Sequence, residues 1–599
     1  MDREMQTDRP IRGNELLEEQ QLQVLRRRFG PLPEPLELAT RWLIRFQEAG
    51  HVCLPLDRAP ADWPDLLGQE PDETLSTDPI SIEALREHPM VLDRAEGDGI
   101  WVCRQEKLWF RKRWLQERFV ADELQSRAAR RIPLGSEDRL NDLLEESYPS
   151  TEDEIDWQKV ACWMALNRQL SVISGGPGTG KTTTVARIVR LYEQWSGSHP
   201  SIALVAPTGK AAARMEESLR EQLGEEQAGS LWSGTLHRWL QPFRHPRMFP
   251  STNRQTLQED FVILDEASMV DLTLFHTMLR HISPETRLVI LGDHHQLASV
   301  ESGALLAQIC RQESNRFHPD TLREMTNCGL DASRMESDPS LSPLEDATVY
   351  LKKSYRFGND SGIGRLADAI RNGDGSSLEQ VMDDSPDDLE VVPFMLDRAS
   401  MESICSRIEK RLKGIQEATP EEMFEMRTDH IYLTSMRHGR SGTQSLNRWI
   451  ENELDRRGVI SRSGTWYHGR PVIATKNDYE LRVFNGEMGV CVEEGGRMDV
   501  WFASDDGAPK RIPTQRLRWV EPAWFLTIHK SQGSEYDEVE LLLPEESERL
   551  LSRESIYTAV TRARKRLVLW TDKDRLIRGI QKRSERFSGL SGMLFGEEL

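Results

Sequence analysis

The 599-residue chain has no run of about 18 apolar residues, so no membrane-spanning helix and no membrane partner is expected. Its opening, MDREMQTDRPIRG, holds no apolar core of a secretory signal. Seven cysteines (53, 103, 162, 310, 328, 405 and 491) stand far apart, odd in number and without a CxxC pair. That disfavours a disulfide or zinc framework and fits free thiols in a reducing compartment. Excess positive charge is also missing: 77 Lys+Arg face 98 Asp+Glu, a net charge of −21, which excludes a histone-like coat. Nucleic acid would have to be held in a local groove. No fixed-period repeat and no long low-complexity tract occurs. The expectation is a soluble cytoplasmic protein, too long for a small binding module and sized for about four domains at roughly 150 residues each.

What the sequence does hold is short apolar runs of the kind found in strands buried on both faces: LSVIS (170–174), IALVA (202–206), FVILD (261–265) and RLVILGD (287–293). A second series, IYLTS (431–435), VELLLP (539–544) and RLVLW (566–570), follows a long gap. Two α/β lobes are the economical reading, at 116–345 and 346–599. Residues 311–349 are polar, with Pro and Ser, and read as a linker or surface insertion close to the hinge. At about 465–520, short β-rich runs with NG and GG turn signals predict a small inserted β-barrel. Residues 1–115 show helical patterns and form a separate, mainly helical N-terminal domain. Its basic tract, Arg111-Lys112-Arg113 beside Trp109, Phe110 and Trp114, reads as a nucleic-acid patch, a partner or domain interface, or a solvated helix face. The apolar GMLF near the C-terminus reads as a docking tail or a frayed end.

The strongest chemical signal is Gly175-Gly176-Pro177-Gly178-Thr179-Gly180-Lys181-Thr182-Thr183, a G-x-x-x-x-G-K-T between a strand and a helix pattern. Its glycines let backbone N–H groups wrap phosphate oxygens, Lys181 reaches the β and γ phosphates of ATP, and Thr182 binds Mg²⁺. Asp265 and Glu266 end the FVILD strand as adjacent carboxylates. Asp265 can enter the Mg²⁺ shell while Glu266 polarises the attacking water. In GDHHQL (292–297), Gln296 is either a γ-phosphate sensor or an ordinary loop amide.

P-loop, DEAS and GDxxQL in this order resemble superfamily 1 helicases. Further segments match that family: Gln158 in DWQKVA, APTGKAAARM (206–215), TLHRWL (235–240), LKKSYRF (351–357), TIHKSQGSEYDEV (527–539) and YTAVTRARKRLVL (557–569). More narrowly, GGPGTGKTTT, SYRF with GIGRLA, NDY…FNGE and TIHKSQGSE resemble the RecD family, the alpha chains of exodeoxyribonuclease V (RecBCD). The resemblance is strong over about 150–599 and loose over 1–115, where HVCLPL is similar to the family's partner-docking domain.

The resemblance implies two RecA-like P-loop NTPase lobes with an SH3-like β insertion in the second. It also implies an adenine-reading Gln158 and two arginine fingers, Arg356 and Arg562, that approach the γ-phosphate from the second lobe. Pro207, Thr208, His237, Thr527 and His529 occupy positions similar to the family's single-strand contacts, with a packed or capping role as the alternative for either histidine. Asn477, Tyr479 and Phe484 of the insertion either close over the strand or form its own core. The implied activity is ATP-dependent 5′–3′ DNA translocation in a heterotrimer with RecB-like and RecC-like subunits, which processes double-strand DNA ends for recombinational repair, with the nuclease centre on a partner. A stand-alone helicase of the same branch, or a non-translocating ATP-binding regulatory subunit, are the alternatives. Against the last, the hydrolytic set is complete.

Overall fold

The computed structural model describes residues 13–596 apart from 68–75, 95–96, 133–136, 149–153, 197–199, 242–256, 300, 313, 359–360, 417, 462–463, 479 and 504–508. No helix among the described residues is long and apolar enough to cross a membrane. The seven cysteines are buried and unbridged.

The N-terminal region begins with helices Gly13–Phe29 and Glu34–Glu48. It is mainly helical, as expected, but it also holds a sheet of β1 (Leu54–Pro55), β2 (Val91–Leu92), β3 (Trp101–Arg104) and β4 (Lys107–Phe110) in the order β1-β4-β3-β2. Strands of two to four residues are too short to display an alternating pattern, so the sequence conceals them. Trp42, Trp63 and Trp101 fill the space between helices and sheet.

The first lobe is built on β5 (Leu170–Gly175), β6 (Ile202–Ala206), β7 (Trp232–Thr235), β8 (Phe261–Leu264) and β9 (Arg287–Gly292). Next in the chain, β10 (Arg316–Phe317) pairs with β11 (Glu336–Ser337), and β12 (Thr348–Leu351) returns to the main sheet. Its order is β12-β5-β9-β8-β6-β7, with every neighbour parallel. Successive side chains of a strand point to opposite faces. Ile173, Leu204, Ile263 and Leu291 therefore meet helices Trp157–Asn167 and Lys181–Ser196, while Val172, Val205, Leu264 and Ile290 meet Arg111–Ala129 and Leu272–His281. Burial on both faces is why these strands read as continuous apolar runs.

Three expectations are corrected here. Residues 311–349 are not a linker: Phe317, Met325 and Leu344 are fully buried in the first lobe. Asn315 also exchanges two hydrogen bonds with the Tyr350 backbone, at 2.8 and 2.7 Å. The first lobe therefore runs through Leu351, whose strand β12 pairs with β5, and not to 345. At the other end, helix Arg111–Ala129 crosses the expected boundary at 115 and packs on the lobe's sheet. Its basic start is an interface within the chain, with Trp109 and Trp114 buried and Arg113 donating to Thr273 Oγ1. The C-terminal helix Leu590–Phe595 docks on the same helix, where Gln125 Nε2 donates to the Leu594 carbonyl at 2.7 Å. Helices Arg111–Ala129 and Leu590–Phe595 thus cover one face of the first lobe.

The second lobe contains β13 (Leu389–Val392) and β14 (His430–Thr434). An inserted antiparallel sheet follows, with β15 (Pro471–Ala474), β16 (Met488–Glu494), β17 (Arg497–Phe502), β18 (Lys510–Pro513) and β19 (Val520–Pro522) in the order β18-β17-β16-β15-β19. The lobe is completed by β20 (Phe525–Thr527), β21 (Tyr536–Leu542) and β22 (Ala563–Trp570), giving a parallel sheet β13-β22-β21-β14-β20. The insertion closes on its own core of Val472, Cys491, Val500 and Phe502. Phe484 is not in that core but reaches the first lobe, where a Cβ at Gly209 would come within 2.9 Å of it. Tyr479 lies outside the described residues.

Candidate functional site

The phosphate-type loop follows β5 and opens helix Lys181–Ser196. Gly178 and Gly180 have φ of +75° and +80°, and an added Cβ would strike Arg356 at the first and Gln158 at the second. Conformation and space both demand glycine. Lys181 Nζ donates to the carbonyls of Gly175 (2.7 Å) and Gly176 (3.1 Å), and Thr179 Oγ1 braces the Gly176 carbonyl at 2.8 Å. Gln158, at the start of a helix capped by Asp156, donates through Nε2 to the Thr179 carbonyl at 3.0 Å and accepts from Arg187 at 3.1 Å.

Asp265 and Glu266 follow β8. Glu266 sits at φ +51°, a left-handed conformation that costs a non-glycine residue about 1–3 kcal/mol, and its N–H donates to Asp265 Oδ1 at 2.8 Å. Burial, and then the adjacent Glu266 charge, push Asp265 up to about 6. The loop after β9 is tied inward, with Gln296 Nε2 donating to Asp293 Oδ2 at 3.1 Å. It is also tied across the lobes: Leu297 N–H donates to Thr558 Oγ1 at 2.8 Å, and Gln532 Nε2 donates to the Leu297 carbonyl at 2.6 Å.

The second lobe contributes Glu535, which accepts from Arg356 Nη2 and from Arg214 Nη2, each at 2.6 Å. Burial would raise Glu535, but Arg214 and Arg356 overcome it and hold the carboxyl at about 2. Arg562 is buried, donating through Nη1 to the Ser534 carbonyl at 3.1 Å.

These parts surround one cavity of about 340 Å³, lined by Pro177, Gly178, Gly180, Lys181, Thr182, Thr183, Asp265, Glu266, Gln296, Arg356 and Arg562. Gly175, Gly176 and Thr179 form the loop behind it. Gln158 and Thr179 line an adjoining cavity of about 660 Å³ with Trp157, and Tyr355, a residue 65% exposed, lines both. Sequence reasoning missed Arg214, Glu535 and Tyr355. All three lie inside quoted motifs, but only the fold shows that they converge.

The donor set fits a nucleoside triphosphate with a hard divalent cation. Arg356 Nη1 is a buried donor without a partner among the described residues, on a side chain that lines the cavity beside Lys181 and Arg562. Thr182 and Asp265 offer one hydroxyl and one carboxylate oxygen, the sparse protein contribution that Mg²⁺ accepts when phosphates complete its shell. No cluster of three or more metal-ligating side chains occurs among the described residues.

None of the five expected strand contacts lines this cavity. Thr208 follows β6 and Thr527 ends β20, and each caps the next helix, accepting from Ala211 N–H (3.2 Å) and Lys530 N–H (3.3 Å). Their hydroxyl protons remain available to an outside acceptor. Pro207 precedes Thr208, and His237 stands exposed in helix Leu236–Trp239 after β7. His529 follows β20 and is drawn to about 4 by burial and the Arg586 charge, so it is a neutral donor or acceptor at pH 7. Thr235, which ends β7 and caps its helix through Arg238 N–H at 3.1 Å, repeats the strand–Thr–helix arrangement and was also missed.

Two parallel α/β lobes with a P-loop in one and convergent arginines on the far side of the cleft define a helicase-type P-loop motor. An AAA domain model matches residues 158–302, and a UvrD-like helicase C-terminal domain model matches 522–570. The chain is 33% identical to the RecBCD enzyme subunit RecD of Mycolicibacterium smegmatis over 611 residues, covering 96% of this chain and 97% of that one. It is 32% identical to RecBCD enzyme subunit RecD of Haemophilus influenzae over 528 residues, covering 81% and 80%. The ATP-dependent RecD2 DNA helicase of Deinococcus radiodurans is 28% identical over 66% of this chain and 46% of its own length. Among solved structures, a Bacteroides Pif1 helicase in complex with ADP-AlF3 and ssDNA aligns at 16% identity over 71% of this chain and 94% of its own, with a TM-score of 0.37. The chain belongs to the RecD family of ATP-dependent DNA helicases.

Proposed function

We propose that this chain is the ATP-driven single-strand DNA motor of a RecBCD-type helicase–nuclease, moving 5′ to 3′ in the cytoplasm beside RecB-like and RecC-like partners that carry the nuclease. The observation that carries the reading is the composite cavity, in which the first lobe supplies Lys181, Thr182, Asp265 and Glu266 and the chain beyond β12 supplies Arg356 and Arg562.

In this reading the loop amides and Lys181 hold the β and γ phosphates, and Thr182 and Asp265 would hold Mg²⁺, which supplies charge neutralisation at the transferring phosphoryl group. Gln158 and the face of Tyr355 receive the base in the adjoining cavity. Glu266 orients the attacking water, and Arg356 and Arg562 stabilise charge that grows on the γ-phosphate. Gln296 and Leu297 lie in one loop between the phosphate cavity and the Thr558 and Gln532 contacts. Loss of the γ-phosphate is thereby felt by the second lobe. Pro207, Thr208, His237, Thr527 and His529 grip phosphodiester groups at the strand ends, with little sequence information. Phe484 bridges the insertion to the first lobe beside Thr208, and Asn477, whose Oδ1 accepts from Asn485 N–H at 2.8 Å, shapes that loop.

Membership of a trimer is supported by the near-complete coverage of the RecD subunit, against under half of the RecD2 helicase. The test is gentle purification of the tagged chain from its own cell, followed by strand displacement on 5′-tailed and 3′-tailed duplexes. Co-elution with two larger chains and unwinding that needs ATP and a 5′ tail are expected. A lone active species would favour the stand-alone helicase, and ATP turnover without displacement would favour the regulatory subunit.

A further inference from the structure

A second cavity, of about 720 Å³, opens where the N-terminal region and the two lobes meet. Its walls bring Arg58 from the N-terminal region, Leu297 from the first lobe, Ser435, Ile528 and His529 from strand ends of the second, and the segment 581–586. That segment forms a strap. It is held to the second lobe by Arg553 N–H on the Lys582 carbonyl (2.7 Å) and Ser584 N–H on Glu554 (2.7 Å). On the other side, Phe587 N–H donates to His51 Nδ1 (3.1 Å), Val52 N–H donates to the Phe587 carbonyl (2.8 Å), and Arg586 donates to the Ala49 carbonyl.

The chemistry of this cavity departs from that of the molecule. In a chain of net charge −21, five cations (Arg58, Arg549, Lys582, Arg583 and Arg586) face only two carboxylates, Asp65 and Glu585. Arg58 and Glu585 are 3.9 Å apart, and both are about half exposed, so that pair is weak. Apolar side chains of Leu66 and Leu550, the latter 47% exposed, share these walls with the cations. Ser435 Oγ is buried without a hydrogen-bond partner among the described residues, which a structure rarely leaves unexplained. Cations together with apolar faces suit a single strand, whose phosphates need the first and whose sugars and bases need the second. His529, one of the five expected strand contacts, lines this cavity and joins it to the strand ends described above.

We infer that this junction is a further binding site for the sugar–phosphate backbone, a channel that carries the strand beyond the two motor lobes and under the strap. The inference rests on the reading of the chain as a single-strand DNA motor. The ligand is a phosphodiester chain without sequence preference, with Arg58 on one wall and Lys582 and Arg583 on the other. The strap spans the N-terminal region and the second lobe, so a strand in the channel would hold these parts together during a cycle.

The test is equilibrium binding of oligo-dT of about 6 and about 16 nucleotides, within the range of single-strand site sizes, to the full chain as a function of salt. In the wild type the longer strand should bind more tightly and with a steeper salt dependence. The double variant Lys582→Ala/Arg583→Ala should bind the short strand as the wild type does. On the long strand its slope of log K against log salt should be shallower by about 1.4, at about 0.7 per lost phosphate contact. Arg58→Ala, on the opposite wall, should lose about 0.7 by itself. These side chains are exposed and outside the nucleotide cavity, so a melting temperature close to that of the wild type identifies each variant as folded. Wild-type slopes in both variants on the long strand would overturn the channel. A wild type that binds neither oligonucleotide would overturn the strand reading itself.

Discussion

Replacing Glu535 with Gln tests the electrostatic centre of the cleft. The carboxylate is 11% exposed and accepts from two guanidiniums, each at 2.6 Å, one on Arg214 of the first lobe and one on Arg356. Its depression from 4.5 to about 2 corresponds to about 3 kcal/mol of charge-dependent interaction, at about 1.4 kcal/mol per tenfold. Glu535→Gln keeps the shape and one acceptor but leaves two cations adjacent with no negative charge between them. Were all of that energy spent on holding Arg356 toward the cavity, turnover would fall by about 10²-fold. Because Arg214 shares the carboxylate, the expected loss lies between about 10-fold and 10²-fold. The KM for ATP should hold or fall, since the uncovered positive charge attracts nucleotide. Steady-state ATP hydrolysis stimulated by single-stranded DNA measures both, with Arg214→Gln, which leaves the Glu535–Arg356 pair intact, as a milder control. Unchanged kcat in a folded Glu535→Gln protein would refute the positioning argument, and a raised kcat would mean that Glu535 holds Arg356 away from the phosphate.

Arg356→Ala should keep nucleotide binding while turnover drops about 10³-fold, as for an arginine finger, which fluorescent-nucleotide titration beside the hydrolysis assay would check. Thr208→Val and Thr527→Val should each weaken single-strand binding by about tenfold, the worth of a hydrogen bond to a charged group, whereas the Ser variants should bind normally. Leu594→Ala should lower stability in urea by about 2–5 kcal/mol, because the buried tail helix seals one face of the first lobe. His51 is drawn from 6.5 to about 3 by burial and then by the Arg586 charge, so the unfolded chain binds its proton first. Its contribution to stability is complete above pH 6.5 and is lost as pH falls toward 3, so the melting temperature should decline over this window less steeply in His51→Gln.

The sequence shows most clearly what the chain makes locally. β5, β6, β8 and β9 are legible because burial on both faces turns them into apolar runs, and the P-loop because its spacing is contiguous. β7, β12, β13 and β20 escape notice because three or four residues carry no period. Residues 311–349 look like a linker since their helices open on Pro after a capping residue, His318-Pro319 and Ser342-Pro343, and such signals resemble loops until Phe317 and Leu344 are seen to be buried. The Arg214–Glu535–Arg356 node is hidden for another reason: its pairs are separated by 321 and 179 residues. No local pattern records such a pairing. The motifs were nonetheless sufficient for the family, which the relatives bear out across nearly the whole chain.

The central claim is that nucleotide in the composite cavity drives the motor, and Lys181→Gln tests it most directly. The Gly178 and Gly180 backbone, and with it the loop, should remain, so the variant is expected to fold and to bind single-stranded DNA while losing DNA-stimulated ATP hydrolysis and strand displacement. Normal DNA-stimulated turnover in that variant would contradict the account.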